Sequence, residues 1–212
     1  MKSKPVPLTI EDVRIEHAEK ASAIRKRLDE FSAVRPEEYF YELTYCLLTP
    51  QSSAVNAAMA VGSLQRHGFE IRPIDPEPLL HQKDYYIRFH KTKATHLLAM
   101  KATFPRIAEK LASGSAGTEL REWLVGNVKG MGWKEASHFL RNIGYRNLAI
   151  LDRHILKNLH RLGVVRRLPK SLTSRRYKLL EKKFHTFALQ IGIPMDELDL
   201  LFWSIETGEI LK

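Results

Sequence analysis

At 212 residues, 44% of them hydrophobic, the chain holds enough material for one large domain or two small ones around an ample core. A single cysteine, Cys46, excludes an intramolecular disulfide, a cysteine-rich zinc site and a four-cysteine iron–sulfur cluster. No apolar run approaches the roughly 20 residues of a membrane helix. The net charge of +10 is concentrated in one block: between Lys129 and Lys183, fifteen lysines and arginines stand against three acids, Glu135, Asp152 and Glu181. Such a block suits a polyanion, whose phosphates release counterions on binding. The opening "MKSKPVPLTIEDVRIEH" lacks the apolar centre of a secretory signal, so a soluble, cytoplasmic protein is expected.

Apolar residues recur at helical spacing almost everywhere, and alternating β-branched runs are scarce, so the fold class is all-α. In chain order the periodicity predicts helices over 10–19, 21–34, 36–48, 52–67, 76–82, 91–104, 105–113, 117–127, 132–143, 153–162, 174–191 and 195–206. Pro36 suits the first position of a helix, Pro50 ends one, and Ser52 or Ser53 caps the next. The three prolines of "HGFEIRPIDPEP" (67–78) mark a connector. A second connector, "RNIGYRNLAILD" (141–152), leaves a helix through Gly144, where a left-handed C-cap is wanted, and runs through "LAIL" to Asp152. Asp152 precedes an apolar stripe of Ile155, Leu156, Leu159 and Leu162, which makes it a good N-cap.

"TELREWLVGNVKGMGWKEASHFLRNIG" (118–144) reads as helix, tight turn, helix, with Leu120, Trp123, Leu124 and Val128 facing Ala136, Phe139, Leu140 and Ile143. Gly130 and Gly132 allow backbone angles that other residues resist, and they leave amides bare for a phosphate. The start of the second helix adds its own positive end. Lys134, in that first turn, opposes the macrodipole. The misfit is either incidental or an activation device. An amine is a useful nucleophile only when neutral, and a helix N-terminus, cationic neighbours and burial all disfavour the ammonium form.

"VKGMGWK", with the aspartate of "LDRH" eighteen residues after its lysine, resembles the helix–hairpin–helix DNA glycosylases. In that superfamily a lysine two places after the second hairpin glycine marks the bifunctional enzymes. "YELTYCLLTPQSSAVNAAMAV" (41–61), "YYIRFHKTKA" (85–94) and "LFWSIETGEILK" (201–212) narrow the likeness to the compact type-two 8-oxoguanine DNA glycosylases of archaea and some bacteria. The missing cysteine cluster separates the chain from the endonuclease III branch. There is no room for the β-rich N-terminal domain of the eukaryotic type.

The resemblance implies a fold of two helical subdomains with the active site in the cleft between them. The central one is expected at about 52–150, containing the hairpin, and the other at about 1–51 plus 151–212. It implies a DNA glycosylase and AP lyase that excises 8-oxoguanine. Lys134 would attack the anomeric carbon, with Asp152, kept ionised by its helix and by Arg153 or His154, stabilising the cationic sugar. A Schiff base then leads to β-elimination. Gln51 is the candidate wedge in the gap left by the extruded nucleotide, while Gly130, Gly132 and Arg153 are candidates for contact with DNA. His138 is assigned to phosphate contact or packing. Phe89 and Trp203 are the candidates for sandwiching the damaged base, and the terminal carboxylate of Lys212 for reading its hydrogen-bonding edge. A monovalent cation on the carbonyls of Gly126, Val128 and Met131 is implied by the superfamily; no other metal and no cofactor is expected. The expected partner is double-stranded DNA with a damaged base, met by a monomer in the cytoplasm, associated with the nucleoid. Two alternatives are a glycosylase for oxidised pyrimidines and a non-catalytic hairpin module that binds DNA.

Overall fold

The computed structural model describes residues 8–210. Among them it holds nine α-helices, two short 3-10 turns and no strand beyond an isolated antiparallel bridge between His81 and Tyr86. Two compact units divide the chain: 33–145, and a discontinuous unit built from the residues up to Ser32 together with those from Arg146 onward.

The discontinuous unit begins with α1 (Ile10–Ser32), one continuous helix where two are predicted. A Glu16–Lys20 ion pair at 2.7 Å reaches the expected break at residue 20. Val13, Ile24, Leu28 and Phe31 form one buried stripe along the helix, so packing carries it through the weak point. The other unit starts with a 3-10 turn at Pro36–Glu38 and continues through α2 (Tyr39–Leu48), α3 (Ala54–Arg66) and, after a second 3-10 turn at Glu77–Leu80, α4 (His90–Ala112). α4 also replaces two predicted helices. Pro105 lies inside it on an exposed face, where water replaces the amide hydrogen bond that proline removes. The unit closes with α5 (Gly117–Asn127) and α6 (Trp133–Asn142). α2 is its centre, buried at seven of ten positions and packed on α3, α4 and α6.

The discontinuous unit resumes with α7 (Arg153–Arg161), α8 (Ser174–Ile191) and α9 (Met195–Thr207), and α9 packs on α1, α7 and α8. The subdomain limits differ from those expected at 51/52 and 150/151. α2 belongs with the helices it packs against, and the connector after Arg146 is tied to α8 and α9. Among the described residues no helix is long and apolar enough to cross a membrane.

Candidate active site

The hairpin forms as its spacing requires. Leu120, Leu124, Val128, Ala136, Phe139, Leu140 and Ile143 are buried between α5 and α6, whereas Trp123 stands at the edge with the Arg106 guanidinium 5.5 Å from its ring centre. The Met131 amide donates to the Val128 carbonyl at 3.2 Å and closes the turn. Gly130 has φ +84, and a Cβ there would fall 2.2 Å from His96 Nδ1, so both its backbone and its neighbour demand glycine. Gly132 is different: it is the extended N-cap of α6, and a Cβ would meet only the end of the Glu135 side chain. Lys134 follows at the second helical position, its side chain 26% exposed and its Nζ 4.0 Å from Glu135 Oε1. A cation at that end of a helix loses about 0.3–1 kcal/mol to the macrodipole. Glu135 is the neighbouring charge that offsets part of this.

Asp152 is held by the other unit. The segment before it, 148–151, is buried, and side chains satisfy several of its polar groups. The Asp196 carboxylate accepts the Asn147 amide at 3.0 Å, Glu181 accepts the Ala149 amide at 2.9 Å, and the Tyr177 hydroxyl receives the Leu151 amide while donating to the Ala149 carbonyl. Asp152 then caps α7, its Oδ1 accepting the His154 and Ile155 amides at 2.8 and 2.9 Å. Those two bonds orient the carboxylate and leave Oδ2 for another partner. Arg153 beside it is exposed, with Nε donating to His154 Nε2 at 3.1 Å.

Gln51 and Phe89 share an uncommon backbone. Gln51 is exposed with φ 56, and Phe89, 49% exposed, has φ 60 at the N-cap of α4. The Ser52 amide donates to the Thr49 carbonyl at 3.0 Å, so Gln51 occupies the third position of a tight turn, where glycine is usual. Each left-handed residue costs of the order of 1 kcal/mol, and such strain persists only where its surroundings enforce it. Ser53, not Ser52, caps α3, accepting the Asn56 amide at 3.0 Å. The Arg88 guanidinium lies 4.9 Å from the centre of the Phe89 ring.

Trp203 occupies the flank of α9, partly exposed, with the His154 ring edge-on at 5.9 Å. One turn on, Glu206 accepts from Lys157 and Asn158 and lies 3.9 Å from His154 Nδ1. Burial pushes its carboxyl up, but the hydrogen bond and charge of Lys157, the Asn158 amide and His154 together hold it below the usual range. Lys212 lies outside the described residues.

His138, assigned to phosphate contact or packing, is 6% exposed and edge-on to Tyr45 at 5.8 Å. The Val128 carbonyl keeps one lone pair beyond the Met131 amide, which fits a hard monovalent cation at the turn. Among the described residues no group of three or more His, Cys, Asp or Glu side chains would hold a metal ion. Sequence reasoning missed Lys93, buried on α4 at the same stripe as Leu97 and Met100. A lysine on an apolar stripe was the available signal.

A family model described as 8-oxoguanine DNA glycosylase matches residues 24–193. A curated relative from Fusobacterium nucleatum, "8-oxoguanine DNA glycosylase/AP lyase", is 39% identical over 206 residues, 92% of this chain and 94% of its own. One of the same description from Korarchaeum cryptofilum is 38% identical over 201 residues, covering 94% and 95%. Among solved structures, the Methanocaldococcus jannaschii 8-oxoguanine glycosylase/lyase in complex with a 15mer DNA containing 8-oxoguanine superposes with a TM-score of 0.86 at 33% identity, covering 96% of this chain and 99% of that one.

Proposed function

Since the chain belongs to the 8-oxoguanine DNA glycosylase family, we propose that it excises 8-oxoguanine from double-stranded DNA and then cleaves the strand, with Lys134 as nucleophile and Asp152 as its carboxylate partner. The observation that carries this reading is the placement of Lys134: half-buried in the first turn of α6, directly behind the glycine turn and its backbone amides. A phosphate on those amides fixes the register of the duplex.

The lesion nucleotide is first extruded, at a cost of a few kcal/mol in stacking and pairing. Gln51 fills the gap and its amide pairs with the orphaned base. The purine passes between Phe89 and Trp203. Lys134, as the neutral amine, forms a bond to the anomeric carbon. The glycosidic bond breaks with its electron pair leaving on the base, and the Asp152 carboxylate stabilises the positive charge that develops on the sugar. The same carboxylate receives the proton that Lys134 releases. Ring opening gives a Schiff base, and loss of the adjacent sugar proton expels the 3′ phosphate. Arg153, exposed beside Asp152, contacts the DNA backbone. A monovalent cation on the Gly126, Val128 and Met131 carbonyls would add positive charge for a phosphate at the hairpin. The protein works as a monomer in the cytoplasm, on the nucleoid.

The test is a time course of strand cleavage on 8-oxoguanine duplexes with borohydride present, comparing wild type with Lys134→Gln. Wild type is expected to be trapped covalently. The variant should bind the duplex with similar affinity and give no trapped product. Trapping that persists in Lys134→Gln removes the nucleophile from the account.

A further inference from the structure

Lys93 takes no part in the chemistry just described, yet its side chain is buried and fully engaged. It is 6% exposed, and its ammonium group has three acceptors for its three protons: the Leu48 carbonyl at 2.6 Å, the Pro50 carbonyl at 2.7 Å and the Ser52 hydroxyl at 3.2 Å. The first lies at the C-terminal end of α2, where the helix dipole favours a cation, and the other two flank Gln51. Ser52 carries the connection further. Its hydroxyl also accepts the Arg88 amide at 3.0 Å, and the Lys93 amide donates to the Phe89 carbonyl at 2.9 Å. Asn56 adds a parallel tie to the Tyr86 carbonyl at 3.0 Å.

One buried side chain therefore stands between two segments that each carry a left-handed residue without being glycine. Of the three such residues described, Gln51 and Phe89 both lie within this network. A lysine that merely ended α2 would need only the Leu48 carbonyl. Here the same group reaches across the turn and, through Ser52, into the loop before α4. Strain held in place by a surrounding network is how a fold keeps a residue ready for a partner that will meet it.

We propose that Lys93 is a positioning residue: a latch that holds Gln51 and Phe89 in their left-handed conformations, and so sets how readily the lesion nucleotide is displaced from the duplex. The inference rests on the proposed excision reaction and on Gln51 and Phe89 meeting the DNA. Lys93 itself touches no substrate. Ser52 is its relay, and the two side chains act through the backbone of the segments they tie.

The experiment compares wild type, Lys93→Met, Lys93→Arg and Ser52→Ala in two single-turnover reactions: excision from an 8-oxoguanine:cytosine duplex, and strand cleavage at a preformed abasic site, which has no base to extrude. Fluorescence of 2-aminopurine beside the lesion reports extrusion directly, and thermal denaturation reports folding. Lys93→Met is expected to slow excision at least about tenfold more than it slows abasic-site cleavage, with a matching loss of the 2-aminopurine signal. Ser52→Ala should show the same imbalance at smaller size, and Lys93→Arg should restore part of it. Equal losses in both reactions, or none in either, overturn the latch. If Lys93→Met does not fold, the ratio in Ser52→Ala decides alone. Wild type that excises nothing from the duplex sinks the excision reading itself, an outcome distinct from an unaltered ratio in the variants.

Discussion

Replacing Asp152 by asparagine separates a helix cap from a catalyst. Asp152 Oδ1 accepts the two amides at 2.8 and 2.9 Å that begin α7. Asparagine keeps an oxygen at that place, and the two residues cap helices about equally well. The substitution removes the negative charge at the positive end of α7, worth about 0.3–1 kcal/mol. In a chain of this size that lowers Tm by roughly 1–4 °C. Asp152→Ala removes the acceptor too, which brings the total to about 1–3 kcal/mol and the fall in Tm to roughly 2–12 °C. Excision responds in the opposite proportion. If the carboxylate stabilises the cationic sugar and takes the lysine proton, both variants lose about 100- to 10,000-fold in single-turnover rate, roughly 3–5 kcal/mol of barrier. Thermal denaturation followed by circular dichroism, and excision kinetics on one 8-oxoguanine duplex, measure the two quantities. An asparagine variant whose rate stays within about threefold of wild type shows that Asp152 is a cap and nothing more.

Three other outcomes are expected. Burial first, and the charge of Lys134 second, push the Lys93 ammonium down from 10.5 to about 8, while Glu135 pulls the other way. Lys134→Gln removes a repulsion, so Lys93 should titrate at higher pH; Glu135→Gln removes an attraction, so it should titrate lower. NMR titration of the Lys93 side chain reads both signs, and an unmoved Lys93 in Lys134→Gln refutes the coupling. Gly130→Ala forces a positive φ on a Cβ that meets the His96 ring at 2.2 Å, and should cost at least about 1–3 kcal/mol in a melting experiment. Gly132→Ala meets only a movable carboxylate, so its Tm should stay within about 2 °C of wild type while fluorescence anisotropy shows weaker binding to duplex DNA.

Local features were legible in the sequence because the forces behind them act over a few residues. The hairpin followed from the spacing of Leu120, Leu124, Phe139 and Leu140 about two glycines; the left-handed turn at Gly144, φ 94, followed from its place after a helix; and the cap at Asp152 followed from one acceptor ahead of an apolar stripe. The placement of Lys134 in the first turn of α6 is of the same kind. Where the structure departed from the reading, a distant partner had intervened. α1 runs unbroken because its buried stripe packs on α9, far along the chain, and α4 passes through Pro105 because that face meets water. His138 could stand on a phosphate or in the core by its spacing; only the approach of Tyr45 from α2 put it inside. Lys93 is the clearest case. Read along the chain it is a lysine on an apolar stripe, and its burial is satisfied only because α2 ends where three oxygens converge on its amine. Periodicity and capping are written in neighbouring residues, whereas burial of a charge is decided by which atoms from elsewhere arrive to satisfy it.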